Sequence, residues 1–297
     1  MTSIGNSTFA GCTCLESIEI PASVTSIANY AFCDCTSLAS VTIYAPSLSD
    51  YGYAVFRNNA SGRKIYVFEN CLDTYKAKAS FMSVDANDVD AIPALAVHDA
   101  GGEQGNWCTY YNGLADVTVA DGTTVYTAKR NNAGGVTLTA TGSRIIKRGE
   151  AVLLKSTANV VLSSAASSGD GDYSGNELKG VDYETPQDAN TTYYVLSKLE
   201  GKAFGFYKLK NGVSLGAHKA YLAVANSTDA PEFIGFDENT TGVVPIDHSP
   251  FSQRECGVAR TIDHSAGAWY SIDGRKLQGK PTKAGVYISN GRKVVIK

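Results

Sequence analysis

The chain has 297 residues, enough for roughly two or three modules that each bury a core without a disulfide or metal staple. Hydrophobic residues at 43% and charged residues at 19% exclude a wholly disordered chain. A formal net charge of −3 and a pI near 5.8 supply no basic footprint for nucleic acid or an anionic membrane surface. No run of about 18 apolar residues is present, so no segment is expected to span a bilayer as a helix. The opening Met1-Thr2-Ser3-Ile4-Gly5 lacks the charged-then-apolar pattern of a secretory leader, and a leader is expected upstream.

Self-similarity appears at once. Setting Ile4 to Ile20 over Ile27 to Ile43 aligns Phe9 with Phe32, Cys12 with Cys35, Leu15 with Leu38 and Ile20 with Ile43, at an offset of 23 residues. Within a unit, Leu38, Val41 and Ile43 point inward from a short strand while Ile27 and Phe32 fill the coil behind it. One such unit cannot bury its apolar edge alone, so stacking is required. Cys12 and Cys35 are expected to stack as small core residues beneath the turn before each strand.

These residues carry a resemblance. Ser17-Ile18-Glu19-Ile20-Pro21-Ala22-Ser23-Val24-Thr25-Ser26-Ile27, followed by Ala31-Phe32 and Cys35-Thr36-Ser37-Leu38, resembles the BspA-type leucine-rich repeat of bacterial surface proteins that bind host or matrix proteins. The pattern continues in degenerate form through Ala54-Val55-Phe56. The stretch Lys64 to Lys76 resembles the closing segment of such arrays, a strand running into a short helix, with Phe68 where a proline is usual. About two and a half units are visible, so either the downstream domain caps the array or the array is a fragment of a longer one.

A polar, acidic connection from Asp85 to Asp90, the Ala-rich Ala91 to Ala100 and the Gly101-Gly102-Glu103-Gln104-Gly105 cluster mark a boundary. Beyond it, runs rich in Val, Thr, Tyr and Phe alternate with Gly, Asn and Asp turns. They are Val117–Val119, Thr124–Tyr126, Val136–Leu138, Val152–Leu154, Val160–Leu162, Tyr193–Leu196, Phe204–Tyr207 and Tyr221–Val224, and they predict a β-sandwich or barrel. Trp107 to Asn112, Ile145 to Leu154 and Ala217 to Leu222 resemble a β-sandwich module common in secreted Bacteroidetes proteins. The best helical stretch is the neighbourhood of Cys71 to Ala79. Trp269 to Leu277 and Lys283 to Lys297 read as three strands with hairpin turns at Asp273-Gly274 and Asn290-Gly291. This tail resembles the C-terminal sorting domains of Bacteroidetes type IX secretion cargo; a simple last hairpin packed on the sandwich is the alternative.

The fold expected is therefore mainly β: a short leucine-rich repeat solenoid over 1–90, a β-sandwich over 101–245 and a C-terminal β-hairpin module over 256–297.

Chemistry-bearing constellations are sparse. Seven cysteines (Cys12, Cys14, Cys33, Cys35, Cys71, Cys108, Cys256) form an odd set, which rules out a full disulfide framework. Cys12-Thr13-Cys14 and Cys33-Asp34-Cys35 have one intervening residue and no histidine at ligand spacing, unlike a zinc site. Asp170-Gly171-Asp172-Tyr173-Ser174-Gly175 imitates the start of an EF-hand loop, but Val181 stands where the bidentate glutamate is needed. In Asp247-His248-Ser249 and Asp263-His264-Ser265, sequence neighbours point apart and cannot form a relay. Phosphate-loop and His-Glu-x-x-His patterns are absent. No catalytic, cofactor-binding or metal-ligating residue is assigned, and the chain is not expected to be an enzyme.

Binding is favoured because 17 tyrosines and two tryptophans sit in a β-rich frame, where exposed aromatics give rigid amphipathic contact area. Tyr126, Tyr194 and Tyr221 lie in strand patterns and are expected in the core. Tyr51, Tyr53, Tyr110, Tyr111 and Tyr173 lie in turn-like contexts and are expected at the surface. The leading expectation is a cell-surface or secreted adhesion protein that recognises a host or bacterial surface protein through its repeats. The alternative is carbohydrate binding by the sandwich.

Overall fold

The computed structural model describes residues 1–100, 105–166, 169–200, 202–226 and 230–236 in full, and the strand backbones Trp269–Ser271, Lys276–Leu277, Gly285–Ser289 and Arg292–Ile296. The chain divides into two compact units, Met1–Ile246 and Asp247–Lys297. It is mainly β, with one short α-helix among the described residues.

The first 91 residues hold strands β1 (Ser3–Ile4), β2 (Ser17–Ile20), β3 (Ser26–Ile27), β4 (Ser40–Ile43), β5 (Asp50–Tyr51), β6 (Lys64–Val67), helix α1 (Leu72–Lys76) and strand β7 (Val89–Ala91). Ser-Ile-Glu-Ile, Ser-Val-Thr-Ile and Lys-Ile-Tyr-Val alternate with the period of a strand. They pair in parallel as β2-β4-β6-β7, with Ser17 beside Ser40 beside Lys64. The same offset sets β1-β3-β5 in parallel, Ile4 beside Ile27 beside Tyr51. Parallel neighbours need a crossover, and each coil between strands supplies one.

Coil joins coil through backbone and ring. The Phe9 amide donates to the Ala31 carbonyl at 2.8 Å, Phe32 to Val55 at 3.0 Å and Phe56 to Met82 at 2.9 Å. Their rings stack, Phe9 on Phe32 at 5.1 Å and Phe32 on Phe56 at 5.5 Å. Ser7, Tyr30 and Ala54 occupy the same left-handed place in successive coils, with φ of 51°, 60° and 54°. Gly52 is held where coils touch: a Cβ there would lie 2.3 Å from the Ala28 carbonyl carbon, so any side chain would push the coils apart.

Strands β8 (His98–Asp99), β9 (Asn106–Tyr111), β10 (Val117–Val119), β11 (Thr124–Arg130), β12 (Val136–Ala140), β13 (Ile145–Ile146), β14 (Ala151–Ser156) and β15 (Leu162–Ser164) come next. They are followed by β16 (Leu178–Val181), β17 (Thr191–Lys198), β18 (Phe204–Lys208), β19 (Lys219–Ala225) and β20 (Phe233–Ile234). These strands form antiparallel sheets in the orders β12-β11-β14-β9-β8, β16-β19-β17-β18-β20 and β13-β10-β15. The strand expected at Val160–Leu162 begins two residues later, because Val160 is engaged in a bridge with Leu95.

The sheet centred on β14 is buried on both faces. Trp107, Tyr126, Ala128, Ala151 and Leu153 pack against Leu178, Tyr194, Phe206 and Leu222 of the second five-stranded sheet. The alternate residues Cys108, Tyr110, Val125, Val152 and Leu154 join a core that runs through β10 and β15 into the repeat residues Ile20, Ile43, Val67 and Phe68. A strand covered on two sides reads as a continuous apolar run, which accounts for Ala151-Val152-Leu153-Leu154. The downstream region thus lies along the side of the stacked coils. The Ala22 amide donates to the Leu114 carbonyl at 3.1 Å, and Asn70 bonds Ser164 through both side-chain atoms at 3.0 and 3.4 Å.

In the second unit, β21 (Trp269–Ser271), β22 (Lys276–Leu277), β23 (Gly285–Ser289) and β24 (Arg292–Ile296) form an antiparallel sheet in the order β22-β21-β23-β24. The sequence reading of three strands is corrected to four, since β22 and β23 are separate and both pair with β21.

Because adjacent residues of β14 serve two cores, Leu153→Ala and Leu154→Ala should each cost about 2–5 kcal/mol. In urea titrations, exposure of the Cys35 thiol in the coils and the change in tryptophan fluorescence should move together for both variants; two separate transitions would contradict a shared wall.

Candidate binding site

The outward face of β2-β4-β6-β7 is built by the strand residues that alternate with the core positions. Glu19, Thr42, Tyr66 and Asp90 lie side by side in register, next to a row of Ser17, Ser40 and Lys64. Lys64 Nζ contacts Asp90 at 3.2 Å, Asp88 at 3.6 Å and the Asn87 carbonyl at 3.1 Å. The hydrogen bond to Asp90 is the main cause that raises the Lys64 pKa, so the ammonium stays charged. Tyr66 is the one aromatic side chain in these rows.

At one end of this face the repeat meets the downstream region through a cluster of titratable groups. His218, at φ 54°, immediately precedes β19. Its amide donates to the Val181 carbonyl at 2.8 Å and its own carbonyl accepts from the Tyr111 amide at 3.1 Å. The ring nitrogens face two acceptors: Nδ1 is 3.2 Å from the Tyr111 carbonyl and Nε2 is 3.0 Å from Glu19 Oε1. A neutral imidazole has one N–H and satisfies one of these contacts; an imidazolium satisfies both. Asp182 Oδ1 is 3.8 Å from Nδ1 and accepts from the Gly113 amide at 2.7 Å. The Tyr44 hydroxyl stands 3.4 Å from both Glu19 and His218.

Burial alone would lower the His218 pKa, but the hydrogen bond and charge of Glu19, the Tyr111 carbonyl and the charge of Asp182 outweigh it and the value is raised. Burial, with Glu19 nearby, pushes the Tyr44 phenol far above its ordinary range, so it remains a neutral donor. Glu19 Oε2 is buried with no hydrogen-bond partner among the described residues, which sharpens the need for a cation beside Oε1.

The tyrosines separate in a way that sequence context does not show. Tyr126, Tyr194 and Tyr221 are buried, as their strand patterns require. Tyr53 is 59% exposed, whereas Tyr110 at 3% is a core residue, correcting its expected surface position. Tyr110 and Tyr111 are neighbours on β9 and point to opposite faces; Tyr110 falls in the core shared with the repeat, and Tyr111 lies against Gly180. Tyr51 is half-buried against Tyr75, and its hydroxyl accepts from the Leu48 amide. Tyr173 is half-buried, its phenol raised by burial to about 12 and donating to the Ile145 carbonyl at 2.7 Å.

The cysteines also divide. Cys35 is fully buried and its thiol donates to the Phe9 carbonyl at 3.1 Å, but Cys12 is exposed, correcting the expected core pair. Cys12 belongs to the first described coil, which has a neighbour on one side only. In the loop from Asp170, the Asp172 carboxylate caps the Ser174 amide at 2.8 Å, and that bond holds its pKa low. Among the described residues no group of three or more His, Cys, Asp or Glu is arranged to hold a metal. Asp247-His248-Ser249, Asp263-His264-Ser265 and Cys256 lie outside the described residues.

Residues 1–89 match a family model described as BspA type Leucine rich repeat region (6 copies), so the repeat region is similar to that family. No curated protein and no solved structure matches the chain.

Raised in the fold above its unfolded value near ~6.5, His218 contributes stability that is present in full below that pH and is lost as pH rises through the folded value. Urea midpoints measured from about pH 5.5 to about pH 8.5 should therefore fall across this window. His218→Gln should flatten that part of the profile; an unchanged slope in the variant would assign it to other groups.

Proposed function

We propose that the chain is a non-enzymatic binding protein of the bacterial surface or extracellular space that recognises other proteins through its repeat region. The match of residues 1–89 to BspA-type repeats carries this reading, since proteins of that family are often surface-associated adhesion or protein-binding proteins. We read the stacked coils as a short solenoid and the two facing five-stranded sheets as a β-sandwich. The four-stranded C-terminal sheet is read as a sorting-like module of a Bacteroidetes protein.

Physical features support protein recognition over catalysis. Parallel strands place the residues of one row about 4.8 Å apart, so Thr42, Tyr66 and Asp90 form a continuous ridge suited to an extended partner. Tyr66 brings contact area at low entropic cost, and Asp88 and Asp90 bring charge that Lys64 only partly neutralises. No helix among the described residues is long and apolar enough to cross a membrane. The partner class is a host or bacterial surface protein, with no cofactor and no nucleic acid.

A screen of the purified full chain against immobilised matrix and bacterial surface proteins tests the reading. Binding should be weakened at least about tenfold by Tyr66→Ala combined with Asp90→Ala, as expected for loss of an interface anchor. Full-strength binding by this folded double variant would remove the repeat face from recognition.

A further inference from the structure

A concave site lies where β16 meets β9, β14 and β19. It is a cavity of about 480 Å³ lined by Tyr111, Glu150, Tyr173, Asn176, Lys179 and Tyr221, with Gly149, Gly175 and Gly180 at its rim. That volume lies within the range of small-molecule sites.

Its walls are held by bonds that leave specific groups free. Asn176 is locked: its carbonyl oxygen accepts from the Ala128 and Leu178 amides at 3.2 and 3.3 Å, and its amide donates to the Ala151 carbonyl at 2.8 Å. The same amide lies 3.4 Å from Glu150 Oε2, which steers that carboxylate and leaves Oε1 without a bond. Tyr173 is pinned by its hydroxyl to the Ile145 carbonyl and the Lys147 amide, and Lys147 Nζ sits 5.4 Å from the ring centroid. The Tyr111 ring rests on Gly180, where a Cβ would fall 2.0 Å from Tyr111 Cγ; only glycine admits the ring. Among the described residues, neither the Tyr111 nor the Tyr221 hydroxyl has a hydrogen-bond partner, and Lys179 has no ion pair. Gly149 and Gly175, at φ 86° and 72°, add no side chain of their own to the lining, and the Lys129 side chain lies within 4 Å of where a Gly175 Cβ would be.

The free groups are thus the Tyr221 hydroxyl, one carboxylate oxygen and one ammonium, beside aromatic rings, while the Tyr111 hydroxyl lies at Gly113 and its ring is what lines the pocket. The lining residues themselves carry one lysine and one carboxylate, while Lys129 and Lys147 stand beside Gly175 and the Tyr173 ring without lining the pocket, so the clustered donors that a phosphate calls for do not converge on it. The mostly polar lining does not suit an acyl chain. A ligand matching this set has many hydroxyls that both donate and accept, no net charge, and C–H edges that lie on tyrosine rings. We propose that this pocket binds a neutral sugar residue of an oligosaccharide, with Glu150 accepting from ligand hydroxyls, Tyr221 bonding through its phenol, the Tyr111 ring offering a face to ligand C–H groups, and Lys179 donating at the edge. This site is independent of protein recognition by the repeats.

The test is an array of neutral and sialylated oligosaccharides probed with the full chain, followed by titration of the best neutral hit. Binding of a neutral oligosaccharide should fall about tenfold or more in Glu150→Gln, which removes a charged acceptor. Loss should be several-fold in Tyr221→Phe and in the exposed Lys179→Ala, each checked for an unchanged circular dichroism spectrum. Tyr66→Ala on the repeat face should leave sugar binding unchanged. No retained neutral sugar, binding confined to sialylated sugars, or affinity indifferent to both Glu150→Gln and Lys179→Ala would overturn the proposal. None of these outcomes bears on protein binding by the repeats.

Discussion

The two-sided burial of the sheet centred on β14 is the constraint on which the first unit depends. Val152 and Leu154 close the core that continues into the coils, while Ala151 and Leu153 close the core between the five-stranded sheets. Val152, Leu153 and Leu154 are each fully buried, which stabilises the fold by roughly 1.5–3 kcal/mol per side chain. Since successive strand residues point to opposite faces, a register slip of one residue would exchange the two sets and disrupt both cores together. The coils accordingly do not stand as a separate array: their lateral flank is completed by β10, β15 and the Leu114–Ala115 segment.

Fixing that flank also fixes what the repeat face can present. Glu19 begins its row on the outward surface but is drawn into the junction by His218, leaving Thr42, Tyr66 and Asp90 as the accessible ridge. The junction is stabilised by complementarity of proton states, because both imidazole nitrogens face oxygen acceptors and two carboxylates lie close by. Tyr111 stands between the two regions of interest. Its backbone bonds His218 on one side, and its ring lines the pocket beside β16 on the other. The pocket is therefore anchored to the same strand that carries the core, as a preorganised site requires.

Much of the fold was legible from the residues. The 23-residue offset is carried by Phe9 and Phe32 and by Ile18-Glu19-Ile20 and Val41-Thr42-Ile43, and it became stacked rings and parallel strands because similar coils bury equivalent edges. Alternating Val, Thr and Tyr runs located β10, β11, β12, β17, β18 and β19, since half-buried strands impose that pattern. The difference between Cys12 and Cys35 was not legible: they are equivalent in the repeat, and only the presence of a coil on both sides buries one of them.

What the sequence determined by itself is the class of local structure: a repeated coil, short β-strands and few helices, all consequences of periodicity and residue type within a short window. Tertiary structure alone decided which tyrosines are buried, how the coils are flanked and where the polar groups converge. Glu19 and His218 are 199 residues apart, and Tyr111 meets Gly180 across a sheet boundary. No local pattern encodes such pairs, because they arise only when two sheets and a stack of coils must cover one another's apolar faces.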